Sequence, residues 1–268
     1  MTILVTGATG NTGRHVVAEL LRRGYSARAL TRDPQRAEAL LPAGAEIVAG
    51  THTEPGTLDA ALDGVTGMHI TVTAGVAETG PELVRRAVAA GVERITILWG
   101  GYVGPAETAV AESGVAWTRL EPQEFMSNAL TWRESIRAEG VVREPFDLPS
   151  AVVHEGDLGA VAALALTEEG HAGRVYNLNG PEALTTQARV DILSAALGRE
   201  IAFEQIGGAA AVERLLSEGV SRADAEYVVG WHADPPAAAR IPDGTVERLL
   251  RRPARTFADW VIEHKDRY

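Results

Sequence analysis

No cysteine occurs in the 268 residues, which excludes disulfides, thiolate catalysis and cysteine-based metal sites together. Positive charge is scarce as well. Lys and Arg number 25 against 36 Asp and Glu, a net charge of −11, which argues against nucleic acid or an anionic membrane as a partner. Lys265 is the only lysine among those cations. No apolar run approaches the ~18 residues that suggest a bilayer span. What remains, 46% hydrophobic and 23% charged, is the composition of a globular chain with room for one large domain or a core plus a small lobe. "MTILVTGATG" enters a strand at once and leaves no room for a signal peptide, so a cytoplasmic location is expected.

The first 120 residues alternate between short apolar strands and amphipathic helices. "TILVT", "ARALT", "AEIVA", "MHITVTA", "RITILW" and "VAWTRL" read as strands, with helical segments between them. Strict alternation of this kind implies parallel strands, hence an α/β, doubly wound Rossmann sheet. After Pro122 the pattern changes. Phe125 to Ala138 reads as a helix, and "EGVVREPFDLPS" as a proline-punctuated excursion. "EGDLGAVAALAL" reads as a helix N-capped by Asp157, "RVYNLNG" as a strand, and the remainder as mostly helical apart from a possible strand at "REIAFEQI". The expected division is a Rossmann core from 1–122 and 146–180, with a small, mostly helical C-terminal cap from 123–145 and 181–268 that binds substrate.

"LVTGATGNTGRHVV" places Gly7, Gly10 and Gly13 between the first strand and the first helix. Glycines there permit a tight turn and close approach of backbone to a pyrophosphate, which the helix N-terminus then holds. Thr9, Asn11, Thr12 and Arg14 share that turn and are candidate nucleotide contacts. The second strand ends in "LTRDP". Asp33 stands where a ribose-binding acid is expected, but Asp33-Pro34 is also a helix start, and that structural role accounts for it. Arg32 is the candidate for a bidentate grip on a 2′-phosphate, which points to NADP(H).

"TGATGNTGR", "LTRDP", "RRAVAAGVERI", "SGVAWTRLEPQEFMSN", "GDLGAVAALALTEEGHAGRVYNLNGPEALT" and "ILSAALGREI" together resemble the NmrA-like group of atypical short-chain dehydrogenase/reductases. The resemblance implies NADP(H) binding. It also implies either reduction of quinones and triarylmethane dyes or a regulatory role without catalysis. Nucleotide contacts are then expected at Thr51, Thr73, Ala74 and Trp99, after the third, fourth and fifth strands. The turn after the sixth strand is expected to face the nicotinamide, so Gln123, Phe125, Asn128 and Trp132, with Gly100, are candidate substrate-pocket residues. Trp99, Trp132 and Phe146 are candidates for an aromatic wall.

This chain departs from relatives that use a tyrosine and a lysine four residues on. Tyr102 is followed by Ala106, so Tyr102 is a pocket wall or an unassisted proton donor. Glu107 matches a glutamate of the relatives, while the histidine that some carry ahead of it is absent. Glu124 is the second catalytic candidate: in an apolar pocket its carboxyl would hold a proton at neutral pH, or it simply complements a helix start. His52 with Glu54, and His154 with Glu155 and Asp157, lack metal-site spacing, and His154 reads as a surface histidine. The sequence therefore points to a monomeric or homodimeric NADPH-dependent reductase of a quinone-like or conjugated carbonyl compound. A silent NADP(H)-binding redox sensor and a non-redox cyclase or isomerase stand as alternatives.

Overall fold

The computed structural model describes residues 1–73 and 75–268. Along the chain run β1 (Thr2–Val5), α1 (Gly13–Arg22), β2 (Ser26–Thr31), α2 (Pro34–Leu40), β3 (Glu46–Ala49) and α3 (Leu58–Leu62). Next come β4 (Val65–Thr71), α4 (Val76–Ala89), β5 (Arg94–Leu98), α5 (Pro105–Glu112), β6 (Ala116–Pro122), α6 (Arg133–Glu139) and β7 (Val141–Glu144). Then follow α7 (Glu155–Thr167), β8 (Arg174–Leu178), α8 (Thr186–Leu197), β9 (Ala202–Gln205) and α9 (Gly208–Ser217). The chain ends in α10 (Arg222–Ala233), α11 (Ala237–Arg240), α12 (Thr245–Leu250) and α13 (Phe257–His264). They form two compact units. The first comprises Met1–Pro122, Glu155–Leu178 and Thr245–Arg252; the second comprises Gln123–His154, Asn179–Gly244 and Pro253–Tyr268. Residues 146–154 and 179–180 thus fall in the second unit and 245–252 in the first, the reverse of the division expected from the sequence.

In the first unit, seven strands among the described residues form one sheet in the order β3-β2-β1-β4-β5-β6-β8, every pair parallel. This is the expected doubly wound Rossmann sheet, extended by β8. Leu4, Met68, Ile70, Ile95 and Ile97 pack on one face against Leu58, Leu83, Val84 and Val110 of α3, α4 and α5. On the other face α1 crosses α7 closely. A Cβ on Gly159 would lie 2.6 Å from the carbonyl carbon of His15, so only glycine permits that approach. Leu158 to Leu166 of α7 are buried throughout, as expected of a helix that is apolar on every side. Asp157 is not an N-cap. It lies in the first turn of α7, fully buried, and accepts from Arg252 at 2.6 Å.

The second unit is built around Met126, Trp132, Ile136, Val142, Val190, Leu193, Phe257 and Trp260. The helix expected over Phe125 to Ala138 is divided into a 3-10 segment, Met126–Trp132, and α6. The Thr131 hydroxyl donates to the Asn128 carbonyl at 2.7 Å, a local bond that favours the tighter turn. The excursion after α6 contains β7, which pairs in parallel with β9 from Val141↔Ala202 to Glu144↔Gln205. Its partner lies so far along the chain that no local pattern announces it. His154, read as a surface residue, is 1% exposed and sits 3.3 Å from Glu263.

Candidate functional site

In the first unit the candidate residues gather at the carboxyl ends of the strands, where ligands bind in such sheets. Gly7 has φ of +60°, and a Cβ there would stand 2.9 Å from the Thr71 Cβ. A Cβ on Gly13 would come within 2.2 Å of the Gly7 carbonyl oxygen. The start of α1 is therefore drawn down onto the turn after β1, where the Arg14 amide donates to the Gly10 carbonyl at 3.4 Å and the His15 amide to the Thr12 carbonyl at 2.9 Å. Thr6 fastens the turn to β4: its hydroxyl accepts from the Thr71 amide at 3.0 Å, and its carbonyl accepts from the Thr71 hydroxyl. Gly10 and Asn11 are exposed, Thr9 and Arg14 half-buried, and Thr12 buried at the helix start.

Arg32 follows β2 directly and is exposed, with no ion-pair partner among the described residues. Asp33 is an N-cap, accepting from the Arg36 amide at 3.0 Å, with Pro34 first in α2. His52, after β3, bonds Thr79 at 2.8 Å and Thr73 at 3.0 Å, tying the loops after β3 and β4 together. Burial and then the Arg32 charge lower its pKa, so the ring is neutral at physiological pH. The Thr51 hydroxyl pairs with Thr53, and its amide donates to Thr57. Ala74 lies outside the described residues. The Trp99 ring is half-buried, and its Nε1 is buried without an acceptor among the described residues. Glycines where side chains would fill the turn, a helix start and an unpaired guanidinium after β2 fit a dinucleotide with a 2′-phosphate.

Tyr102, in the loop after β5, is 64% exposed. Glu107 closes that loop, accepting from the Gly104 amide at 3.1 Å and so capping α5. The glutamate matched to the relatives therefore has a complete structural role here. Gly100 belongs to this same loop of the first unit, where its missing Cβ would meet Val72 at 2.8 Å. Lys265 opens the terminal 3-10 turn and belongs to the second unit.

The second unit contains a cavity of about 540 Å³. Asn128, Trp132 and Phe146 line it, along with Glu124, while Gln123 and Phe125 lie outside the lining. Glu124 is 5% exposed and accepts from the Ser150 hydroxyl at 2.5 Å and from Arg189 at 3.0 Å, with His232 at 3.9 Å. Burial alone would raise its pKa, but Arg189, His232 and Ser150 hold it down at about 2. Glu124 is therefore ionised, not the protonated acid expected of a carboxyl in an apolar pocket. The Arg189 guanidinium lies 5.3 Å from the centre of the Trp132 ring. Trp132 in turn donates to Glu144 at 2.7 Å, and Arg214 reaches the other Glu144 oxygen at 3.0 Å.

Ser150, Arg189, Arg214 and His232 were not anticipated from the sequence. One signal was present. Thr186, Arg189, Val190 and Leu193 form the buried face of α8 at helical spacing, so Arg189 occupies a position where the period calls for an apolar residue.

The NmrA-like family profile matches residues 1–112. The chain is 36% identical to the (4-alkanoyl-5-oxo-2,5-dihydrofuran-3-yl)methyl phosphate reductase of Streptomyces griseus, across 99% of each chain. It is 33% identical to the NAD(P)H azoreductase of Xenophilus azovorans, across 98% of this chain and 97% of that one. Two solved structures share the fold. One is an NADPH-dependent quinone oxidoreductase of Escherichia coli, with TM-score 0.81 and 24% identity over 98% of this chain and 99% of the other. The second is the Citrobacter sp. triphenylmethane reductase complexed with NADP(H), with TM-score 0.80 and 22% identity over the same shares.

Proposed function

Because this chain belongs to the NmrA-like family, we propose that it is an NADPH-dependent reductase of a small quinone-like or conjugated carbonyl compound. The observation that carries this reading is the cradle from Gly7 to Gly13, with the unpaired Arg32 beyond β2. The start of α1 and the glycine turn hold the pyrophosphate, and Arg32 grips the 2′-phosphate. Thr51, Thr73 and Trp99 are assigned to the remainder of the nucleotide. NADPH, when bound, supplies a hydride. The second-unit cavity is assigned to the acceptor; its volume of about 540 Å³ lies within the range usual for small-molecule sites, ~300–1,000 Å³. That cavity favours an enzyme over a pure redox sensor, which needs no second binding site. Tyr102 is 64% exposed, lies in the first unit and is not among the residues lining the cavity, so it is given no part in the acceptor site, in keeping with the lack of a lysine four residues on. Among the described residues no helix is long and apolar enough to cross a membrane, and a cytoplasmic setting belongs to the same proposal.

The test is NADPH oxidation followed by absorbance, with a panel of quinones, enones, azo compounds and cationic dyes. At least one quinone or enone is expected to turn over. Arg32→Ala is expected to weaken NADPH binding by about 1.5–3 kcal/mol, roughly tenfold or more, while leaving NADH nearly unaffected. Equal parent affinities for the two nucleotides would remove the NADP(H) assignment. Silence across the whole panel, with NADPH and NADP⁺ exposing different surfaces to proteolysis, would transfer the reading to the sensor.

A further inference from the structure

We propose that His232 is the proton-bearing contact of the second-unit cavity, presenting Nε2–H to an oxygen of the ligand, and that the cavity therefore takes carbonyl or anionic oxygens in preference to cations. This rests on reading the cavity as the acceptor site. His232 Nδ1 lies 2.8 Å from the Val228 carbonyl, which can only accept, so Nδ1 carries a hydrogen and Nε2 is the nitrogen that titrates. Nε2 stands 3.9 Å from Glu124, close enough for charge attraction but too far for a hydrogen bond. The Glu124 carboxylate is meanwhile engaged by Ser150 and Arg189. The proton on Nε2 is thus stabilised by a buried carboxylate without being committed to it.

The charged groups facing His232 come from several elements. Glu124 lies in the turn after β6 and is paired with Arg189 of α8; Glu144 ends β7 and is paired with Arg214 of α9. Glu134 of α6, Arg143 of β7 and Glu218 after α9 also line the cavity, so four carboxylates stand against three guanidinia and a protonated His232 brings the lining to charge balance. Burial disfavours the charged ring, but Glu124, the Val228 carbonyl and Glu144 outweigh it and raise the histidine pKa. Around this polar wall Trp132, Phe146, Leu148 and Trp231 supply apolar surface suited to a flat molecule. A quinone or conjugated carbonyl fits both parts, because its oxygen gains negative charge on reduction and a donor is already in place for it. A cationic dye matches only the apolar part.

The test uses two probes of one shape and opposite charge, 2-naphthoate and 2-naphthylmethylammonium, titrated calorimetrically into the protein alone and with NADP⁺. Naphthoate is expected to bind about tenfold more tightly near pH 6 than near pH 8, with proton uptake visible as a buffer-dependent enthalpy. The ring resonance of His232 should titrate at higher pH in the presence of naphthoate, a readout that needs no variant. His232→Gln should remove the pH dependence and the proton uptake while leaving NADPH affinity intact. The inference is overturned if naphthoate does not bind, if it binds without proton uptake or a change in His232 titration, or if the ammonium analogue binds as tightly. Quinone turnover without this coupling would sink the inference alone. Coupling without turnover of any acceptor would sink the reductase reading alone.

Discussion

The two units satisfy their charged groups in different ways. In the first, the pairs of Glu19 with Arg22 and Arg23, and of Glu82 with Arg85 and Arg86, are three or four residues apart on a helix face, and Asp157 of α7, fully buried, is held from afar by Arg252. The helix-face pairs contribute little and can be lost without consequence for the core. In the second, Glu124 is buried and draws Ser150 from 26 residues away and Arg189 from 65, with His232 completing the group. A buried ion pair adds little over a well-packed apolar pair, yet either member left alone is costly. The comparison teaches where each unit is vulnerable: the first through its backbone approaches and the buried charge at Asp157, the second through the charges gathered around its cavity.

The largest effect should come from separating the buried pair. Arg189→Met leaves Glu124 uncompensated and is expected to cost about 3–5 kcal/mol of stability, read from urea denaturation midpoints. Glu124→Gln combined with Arg189→Met should recover most of that loss. If the double variant is as unstable as the single, the cost lies in packing against Trp132 and the contrast between the units weakens.

Acid should separate the units next. His69 of β4 is fully buried beside Thr96, and burial holds its pKa down at about 4 against an ordinary 6.5. The unfolded chain therefore takes up the proton first. Stability from this group is complete above about pH 6.5 and declines as pH falls towards 4, by on the order of 3 kcal/mol. Glu124 is also depressed, from 4.5 to about 2, so its contribution persists until the pH falls below about 4.5 and is lost on the way to 2. Hydrogen exchange corrected for intrinsic rates should show protection in the sheet weakening in the upper window and protection around Glu124 in the lower one. His69→Asn should flatten only the upper window.

Smaller effects sharpen the local side of the contrast. Asp33→Ala removes the α2 cap and is expected to cost about 1 kcal/mol in thermal or urea denaturation, with nucleotide affinity nearly unchanged. If NADPH binding falls tenfold instead, Asp33 touches the ribose and its cap is only part of its role. Tyr102→Phe should be the quietest change, retaining most turnover. A loss of a hundredfold, about 2.7 kcal/mol of barrier, would make the hydroxyl a proton donor.

These differences also explain what was legible in the sequence. The strands of the Rossmann sheet, the glycine cradle and the Asp33 cap follow from residues within a few positions of one another, and each appears within two residues of its pattern except β4, which begins at Val65, three residues ahead of "MHITVTA". The cavity residues Asn128, Trp132 and Phe146 were within reach because they follow the last recognisable strand or carry aromatic bulk. The protonation state of Glu124 was not, because Arg189, Ser150 and His232 reach it from segments with no local relation to it. β7 was hidden for the same reason, its partner β9 lying beyond α7, β8 and α8. Distant pairing leaves few short-range signatures, and the helical period at Arg189 was the exception.

The interleaving of the two units has a consequence for how such chains diversify. The chain passes from one unit to the other at 122/123, 154/155, 178/179, 244/245 and 252/253, so the second unit consists of three separate stretches. No single crossover can move it whole into another protein. Arg189 and His232 lie on one stretch, whereas Glu124 and Ser150 lie on another. An exchange that carried only one of them would separate the carboxylate from its cations. New specificity in this architecture should therefore arise by residue-by-residue drift of the cavity wall, and an engineer transplanting it would have to move 123–154 and 179–244 together.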